Sequence, residues 1–136
     1  MNINHIFIDT NVLIGACAGR QEDKDCLHYL STLVGKKVYI SALSIAQLVS
    51  VLQKKLPNET IRKIVVDYMH RYEVLSFVDT DITEAVNMPA HDIEDNIQYT
   101  ISQKKKCHYF VTNNSKDFRS FKCSVVSPKQ IRIIKR

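Results

Sequence analysis

His5-Ile6-Phe7-Ile8-Asp9-Thr10-Asn11-Val12-Leu13-Ile14-Gly15 is a short apolar run that stops at an acid, a hydroxyl and an amide before a second apolar run begins. Ile6, Phe7 and Ile8 are continuous rather than alternating, the pattern of a strand buried on both faces of a parallel sheet. A carboxylate directly after such a strand stands at the sheet's carboxyl edge, where open α/β folds hold their ligands. Taken alone, Asp9 reads equally well as the N-cap of the helix that follows. The balance turns on whether other acids reach the same edge.

Outward from this stretch, strands and helices alternate. Residues 15–19 read as a turn region. Cys26, Leu27, Leu30, Leu33 and Val34 recur at helical spacing, so 23–33 reads as an amphipathic helix closed by Gly35. A second strand over 37–40 leads into a helix over 43–55 that ends before Pro57. Asn58 caps a third helix over 59–71, and a third strand over 74–78 ends at Asp79. Asp81-Ile82-Thr83-Glu84 has capping-box spacing and opens a short helix that Pro89 terminates. The helix over 91–105 carries Ile93, Ile97 and Ile101 on one stripe. It leads to a fourth strand over 107–112, a polar loop over 113–118 and a last short strand over 124–126. Such alternation means βαβ units, hence an α/β fold with a parallel sheet covered by helices on both faces. Residues 1–136 read as a single domain.

Composition excludes several classes. No apolar run approaches a membrane span, and the N-terminus lacks a signal-peptide pattern. Cys17, Cys26, Cys107 and Cys123 are widely spaced in apolar contexts, which points to reduced core thiols of a cytoplasmic protein rather than zinc ligands or disulfides. Charge is unevenly spread. Residues 104–136 hold ten of the nineteen Lys and Arg and one acid, a balance of +9, against nine cations and thirteen acids, −4, before them. That asymmetry suits a polyanion such as RNA, with Lys104, Lys105, Lys106, Lys116 and Arg119 as candidate contacts; it also suits a solvated basic tail.

The strand ends supply Asp9, Ser41, Asp79 and Thr112, with Asp117 five residues beyond Thr112. The helix before the fourth strand carries Asp92 and Asp95 on one face, while Glu94 is expected to point elsewhere. Acids near a helix start also complement its dipole. Clustered carboxylates repel one another unless a cation neutralises them, and hard oxygen donors without His or Cys suit Mg²⁺ or Mn²⁺. Such ions activate water toward phosphodiesters.

At this point three ordered stretches resemble the PIN domain family. They are Phe7-Ile8-Asp9-Thr10-Asn11-Val12-Leu13, Asp92-Ile93-Glu94-Asp95-Asn96-Ile97-Gln98-Tyr99, and Cys107 through Phe118 with its Val111-Thr112 and Lys116-Asp117-Phe118. Ser127-Pro128-Lys129 is similar to the family's ending. The resemblance implies an α/β/α sandwich around a mostly parallel five-stranded sheet. It also implies a metal-dependent endoribonuclease, in small prokaryotic members the toxin of a VapBC-type toxin–antitoxin pair, usually dimeric and silenced by an antitoxin. It makes Asp9 and Asp95 the metal ligands, with Asp117 as a further metal acid and Asp92 a supporting catalytic acid. Thr10, Asn11 and Thr112 would orient carboxylates or contact phosphate.

Two positions depart from the pattern. Gln47 stands where the family usually has a glutamate, and Asn114 where many members carry another acid. Gln47 could lend a carbonyl oxygen to a metal, or merely tie a helix start with Ser44. Both changes remove negative charge. They leave a second reading open: a degenerate domain that binds RNA or a protein without cutting. A haloacid-dehalogenase-like phosphatase would need a second Asp where Asn11 stands.

Overall fold

The computed structural model describes residues 2–89, 92–115 and 121–134. Strands β1 (Asn2–Ile8), β2 (Lys37–Ser41), β3 (Glu73–Leu75), β4 (Cys107–Val111) and β5 (Ser124–Val126) form one sheet in the order β3-β2-β1-β4-β5, every pairing parallel. The helices are α1 (Thr10–Cys17), α2 (Gln21–Ser31), α3 (Ala42–Leu52), α4 (Asn58–Arg71), α5 (Asp79–Val86), α6 (Ile93–Gln103) and α7 (Pro128–Ile133). The expected α/β/α sandwich is present. Ile6, Ile8, Ile40 and Val111 pack on one face of the sheet with side chains of α1, α2, α3, α4 and α7. Phe7, Tyr39, Leu75 and Phe110 pack on the other with Ile97 and Ile101 of α6. The continuous apolar run of β1 is the consequence of being covered on both sides, with Phe7 and Ile8 wholly buried.

The strand order reverses at β1: the chain first moves outward through β2 and β3, then crosses to β4 and β5 on the other flank. The crevice above β1 and β4 is therefore the topological switch point. Register brings two functional positions together there. Ile8 pairs with Val111, and Asp9 N donates to Val111 O at 2.9 Å. Asp9 and Thr112 thus leave adjacent strands at the same edge.

Several boundaries differ from expectation for local physical reasons. The region around Gly15 is helical: Asp9 caps α1, which runs through Gly15 to Cys17, and the turn comes at Gly19, whose φ is +87°. Gly35 (φ +78°) does not close α2, which stops at Ser31 with Thr32 as its C-cap. Asn58 is the first residue of α4 and makes no capping bond; Pro57 takes the cap position. β3 is three residues, not five; Val78, expected at its end, is instead the N-cap of α5, its N donating to Asp81 Oδ2 (2.8 Å), and α5 begins at Asp79, two residues earlier than the spacing suggested. The helix placed at 91–105 covers Ile93–Gln103, and Ile93 is 53% exposed while Ile101 is wholly buried. Helix α7, capped reciprocally by Ser127 and Gln130, was not expected.

The four cysteines are free thiols. Among the described residues no helix is long and apolar enough to cross a membrane.

Candidate active site

Asp9 is the floor of the site. It is 6% exposed, and each carboxylate oxygen is held: Oδ1 accepts from Thr10 N (2.8 Å), Oδ2 from Thr112 Oγ1 (2.8 Å) and Asn11 Nδ2 (3.3 Å). Burial pushes its carboxyl up to about 6 from 3.8; the bonds from Thr112 and Thr10 pull the other way, and the charge of Glu94 adds to the rise. Asp9 therefore serves as N-cap and as a desolvated acid at once, so the two readings of the opening stretch are compatible.

A cleft of about 390 Å³ opens above it, lined by Asp9, Thr10, Asn11, Ile14, Gln47, Ser50, Val51, Glu94, Asp95 and Asn114. Six of the residues singled out from sequence meet here: Asp9, Thr10, Asn11, Gln47, Asp95 and Asn114. Thr112 lies just beneath, its hydroxyl receiving Asn11 Nδ2 (3.0 Å) and Asn114 N (3.2 Å) while donating to Asp9. Asp92 is outside the lining. It is the N-cap of α6, its Oδ1 accepting from Glu94 N (2.8 Å) and Asp95 N (3.2 Å), a role that anchors the turn bearing the other two acids. Asp117, Lys116 and Arg119 lie outside the described residues.

Glu94 corrects the sequence reading. It lines the cleft, and its Oε1 accepts from Gln47 Nε2 at 2.7 Å. Gln47 is also corrected in one respect: Ser41 caps α3 by accepting from Ser44 N (2.9 Å), so Ser44 is the third helical residue and Gln47 sits a turn deeper, with no part in the cap. Its amide faces the acids.

The run after α6 is placed away from them. Lys104, Lys105 and Lys106 precede β4, at the amino edge of a five-residue strand whose carboxyl end carries Thr112, roughly 16 Å of sheet away. The Lys105 carbonyl meets His5 Nδ1 (2.9 Å) at the middle of β1. Lys104 Nζ is bound to Asp81 Oδ2 (2.7 Å) and Ser76 O (2.8 Å). These three lysines do not border the acidic cleft.

Two groups escaped the sequence reading. Gln98 is almost wholly buried below the cleft; its spacing of three from both Asp95 and Ile101 puts it on the inward face and could have flagged it. Asp23 is fully buried and accepts from Asn113 Nδ2 (3.0 Å), while Asn113 N donates to Asn11 Oδ1 (3.1 Å). Amid Gln21-Glu22-Asp23-Lys24-Asp25, nothing in the sequence separates it from solvent-facing charge.

The donor set of the cleft is three carboxylates and neutral amide oxygens, which suits a hard cation such as Mg²⁺ or Mn²⁺. Among the described residues, no three His, Cys, Asp or Glu already stand close enough to enclose one.

A parallel sheet of this order, with a buried aspartate and facing acids at its switch point, defines an α/β domain with an acidic, oxygen-lined cleft. The chain belongs to the PIN domain family, whose profile matches residues 5–116, and PIN domains are generally nucleases that use divalent metals. Among solved structures, it is similar to a toxin–antitoxin complex from Klebsiella pneumoniae (TM-score 0.69, 20% identity, 90% of this chain and 97% of that one). It is similar also to VapBC2 from Rickettsia felis bound to a DNA fragment from its promoter (TM-score 0.70, 16% identity, 90% and 98%). A third is FitAB bound to a DNA fragment (TM-score 0.68, 15% identity, 96% and 98%). At these identities the likeness establishes the fold. No curated protein is a significant sequence match.

Proposed function

We propose that this protein is a Mg²⁺- or Mn²⁺-dependent endoribonuclease, the toxin of a toxin–antitoxin pair, acting in the cytoplasm and held in check by an antitoxin. The observation that carries this reading is the buried Asp9 carboxylate facing Glu94 and Asp95 across the cleft at the switch point. Asp9 and Asp95 would hold the ion, with Asp117 as the third acid. The ion, when bound, supplies an activated water and neutralises developing charge on phosphate. The chain's own part is to aim and desolvate. Thr10 N, Thr112 Oγ1 and Asn11 Nδ2 fix both Asp9 oxygens, and Asp92 fixes the first turn of α6. Ile14 and Val51 add apolar surface to its wall. Toxin–antitoxin assembly of similarly folded proteins supports an antitoxin partner for this one, and a homodimer is proposed alongside it.

The test is cleavage of RNA in Mn²⁺ or Mg²⁺ against a chelator, with Asp9→Asn and Asp95→Asn. Metal-dependent cutting lost in both variants is expected; cutting that persists in both removes this site from the reaction. A second reading, a binding module that does not cut, is favoured by the Gln47–Glu94 hydrogen bond, which occupies one acid without a cation. Mn²⁺ binding without cleavage of any RNA would select it.

A further inference from the structure

Below the cleft, uncharged side chains share a closed set of hydrogen bonds. Gln98 Oε1 accepts from Ser41 Oγ (2.8 Å). Its Nε2 lies 3.0 Å from Thr10 Oγ1, 3.1 Å from Ser44 Oγ and 3.2 Å from Gln47 Oε1. Gln47 Oε1 also lies 2.7 Å from the Thr10 hydroxyl, and Gln47 Nε2 emerges at the mouth on Glu94 Oε1, 2.7 Å away. An ionised carboxylate only accepts, so Glu94 demands the N–H of Gln47. Reversing the Gln47 amide would set carbonyl against carboxylate outside and amino group against amino group inside. Gln98 could not relieve this without turning its own amino group to Ser41 and its carbonyl to the other hydroxyls. Because hydroxyls donate or accept, the two amides can turn only together, and the Glu94 carboxylate, which can only accept, sets the sense of both. At the position where a metal-binding glutamate was expected, the protein holds out a donor.

We propose that Gln47 Nε2 is a phosphate-binding donor of this cleft, with buried Gln98 as its positioning residue and Glu94 as the internal anion that occupies the donor until a phosphodiester oxygen displaces it. This rests on the nuclease reading and assigns Gln47 to substrate rather than to metal. The Gln47 N–H leaves Glu94 for a non-bridging phosphate oxygen, with no covalent change.

The test uses the full chain and a 2′-O-methyl oligoribonucleotide in a chelator; without the ion there is no activated water, so neither metal nor cutting enters the readout. Gln47→Met is expected to weaken binding about tenfold, the scale of one hydrogen bond to a charged group. Glu94→Ala is expected to tighten binding both by freeing the donor and by removing a like charge, so the gain should be smaller in the Gln47→Met background. An equal gain there is general repulsion alone and overturns the proposal, as does Gln47→Met binding within about twofold of wild type. For Gln98, Gln98→Glu can only accept, so it should turn the Gln47 amide inward and weaken binding as much as Gln47→Met. If that variant does not fold, the wild-type side-chain amide resonances decide. On adding the oligonucleotide the Gln47 signal should move and the Gln98 signal stay; an unmoved Gln47 signal overturns the proposal. Should the wild type cut RNA while Gln47→Met binds normally, this inference falls alone. A wild type that cuts RNA with metal yet does not bind the oligonucleotide in chelator overturns this inference and leaves the nuclease reading standing; one that neither binds nor cuts takes both.

Discussion

Gly15, in the middle of α1, faces the Asp23 carboxylate of α2: a Cβ at Gly15 would fall inside the contact distance of Asp23 Oδ2. The glycine is there for close approach, since a helical glycine otherwise costs about 1 kcal/mol relative to alanine. What the approach secures is a chain of bonds into the site, from Asp23 through Asn113 to Asn11 and on to Asp9. Burial raises the Asp23 carboxyl above its ordinary value, the bond from Asn113 and the charge of Arg20 opposing, so the acid is held at a cost.

Gly15→Ala is therefore expected to destabilise the protein by about 1–3 kcal/mol, the range of an overpacked core, although the same change in an open helix would stabilise it. In the Asp23→Ala background the sign should reverse. Chemical denaturation of the four members of this cycle decides; a stabilising Gly15→Ala in the wild-type background would show that α2 yields without strain.

Lys104 is expected to matter for the fold more than for polyanions. Its ammonium meets Asp81, a carboxylate only 3% exposed, and it lies at the sheet edge away from Asp9. Lys104→Met should cost about 1–3 kcal/mol by leaving that buried acid short of a partner, the ammonium itself being partly exposed. Neutralising Lys105 and Lys106 should leave affinity for the 2′-O-methyl oligonucleotide in chelator, and its salt dependence, nearly unchanged. A steep loss of salt dependence in that pair would bring the amino edge of the sheet into the RNA path.

Much of this architecture is written in local pattern. Buried strands announce themselves as unbroken apolar runs, and Ile97 and Ile101 mark the inner face of α6, so the sheet and its layers follow from sequence. Helix ends were less legible because they depend on which side chain reaches a backbone N–H: Asp81 takes that of Val78 at the start of α5, and Ser41, not Ser44, starts α3. Gly15 misleads because the glycine serves a close approach to Asp23, eight residues on, rather than a turn. In the site, Asp9, Asp95 and Gln47 were legible as motif positions, whereas Glu94 and Gln98 required the rotation of α6 against α3, and Asp23 required the tertiary contact itself. For the basic third, charge balance says nothing of position: Lys104–Lys106 precede β4, at the opposite end of that strand from Thr112.

Gln47→Glu separates charge from position. Its inner oxygen can still accept from Thr10 and Gln98, but its outer oxygen would face Glu94 where a donor stood at 2.7 Å. Without metal, the repulsion should lower stability by about 1–3 kcal/mol, the scale of a lost charge-assisted bond and a like-charge contact. With Mn²⁺ the same pair of acids becomes an asset, so metal affinity should rise roughly tenfold or more. Calorimetry and thermal unfolding with and without Mn²⁺ give both numbers. Unchanged stability in chelator together with unchanged Mn²⁺ affinity would mean the new carboxylate never meets Glu94.

The pH dependence of Asp9 gives the final prediction. Its carboxyl titrates at about 6 in the fold against 3.8 in the open chain. A raised carboxyl is a folding cost when ionised: above pH 6 both states are charged and the whole cost is borne. As pH falls from about 6 toward 3.8 the folded form takes up a proton that the unfolded form does not, so this group's contribution to stability rises, and below 3.8 it changes no further. The span corresponds to about 3 kcal/mol as an order of magnitude, at 1.36 kcal/mol per pKa unit. Asp9→Asn removes the cost of the buried charge while filling the same space, at the loss of the Thr112 hydrogen bond, because that hydroxyl already accepts from Asn11 Nδ2 and Asn114 N. The variant should therefore be more stable than wild type by about 1–3 kcal/mol near neutral pH, an advantage that shrinks toward pH 4. It should also lose Mn²⁺ binding, whereas wild-type affinity should climb by up to about tenfold per unit as the proton leaves between pH 5 and 6. The difference in unfolding free energy between variant and wild type, followed across pH, isolates Asp9 from the other acids. An Asp9→Asn protein that is less stable than wild type at neutral pH would show that hydrogen bonds to the charged carboxylate outweigh its burial, and that the acid at the head of α1 is a cap before it is a ligand.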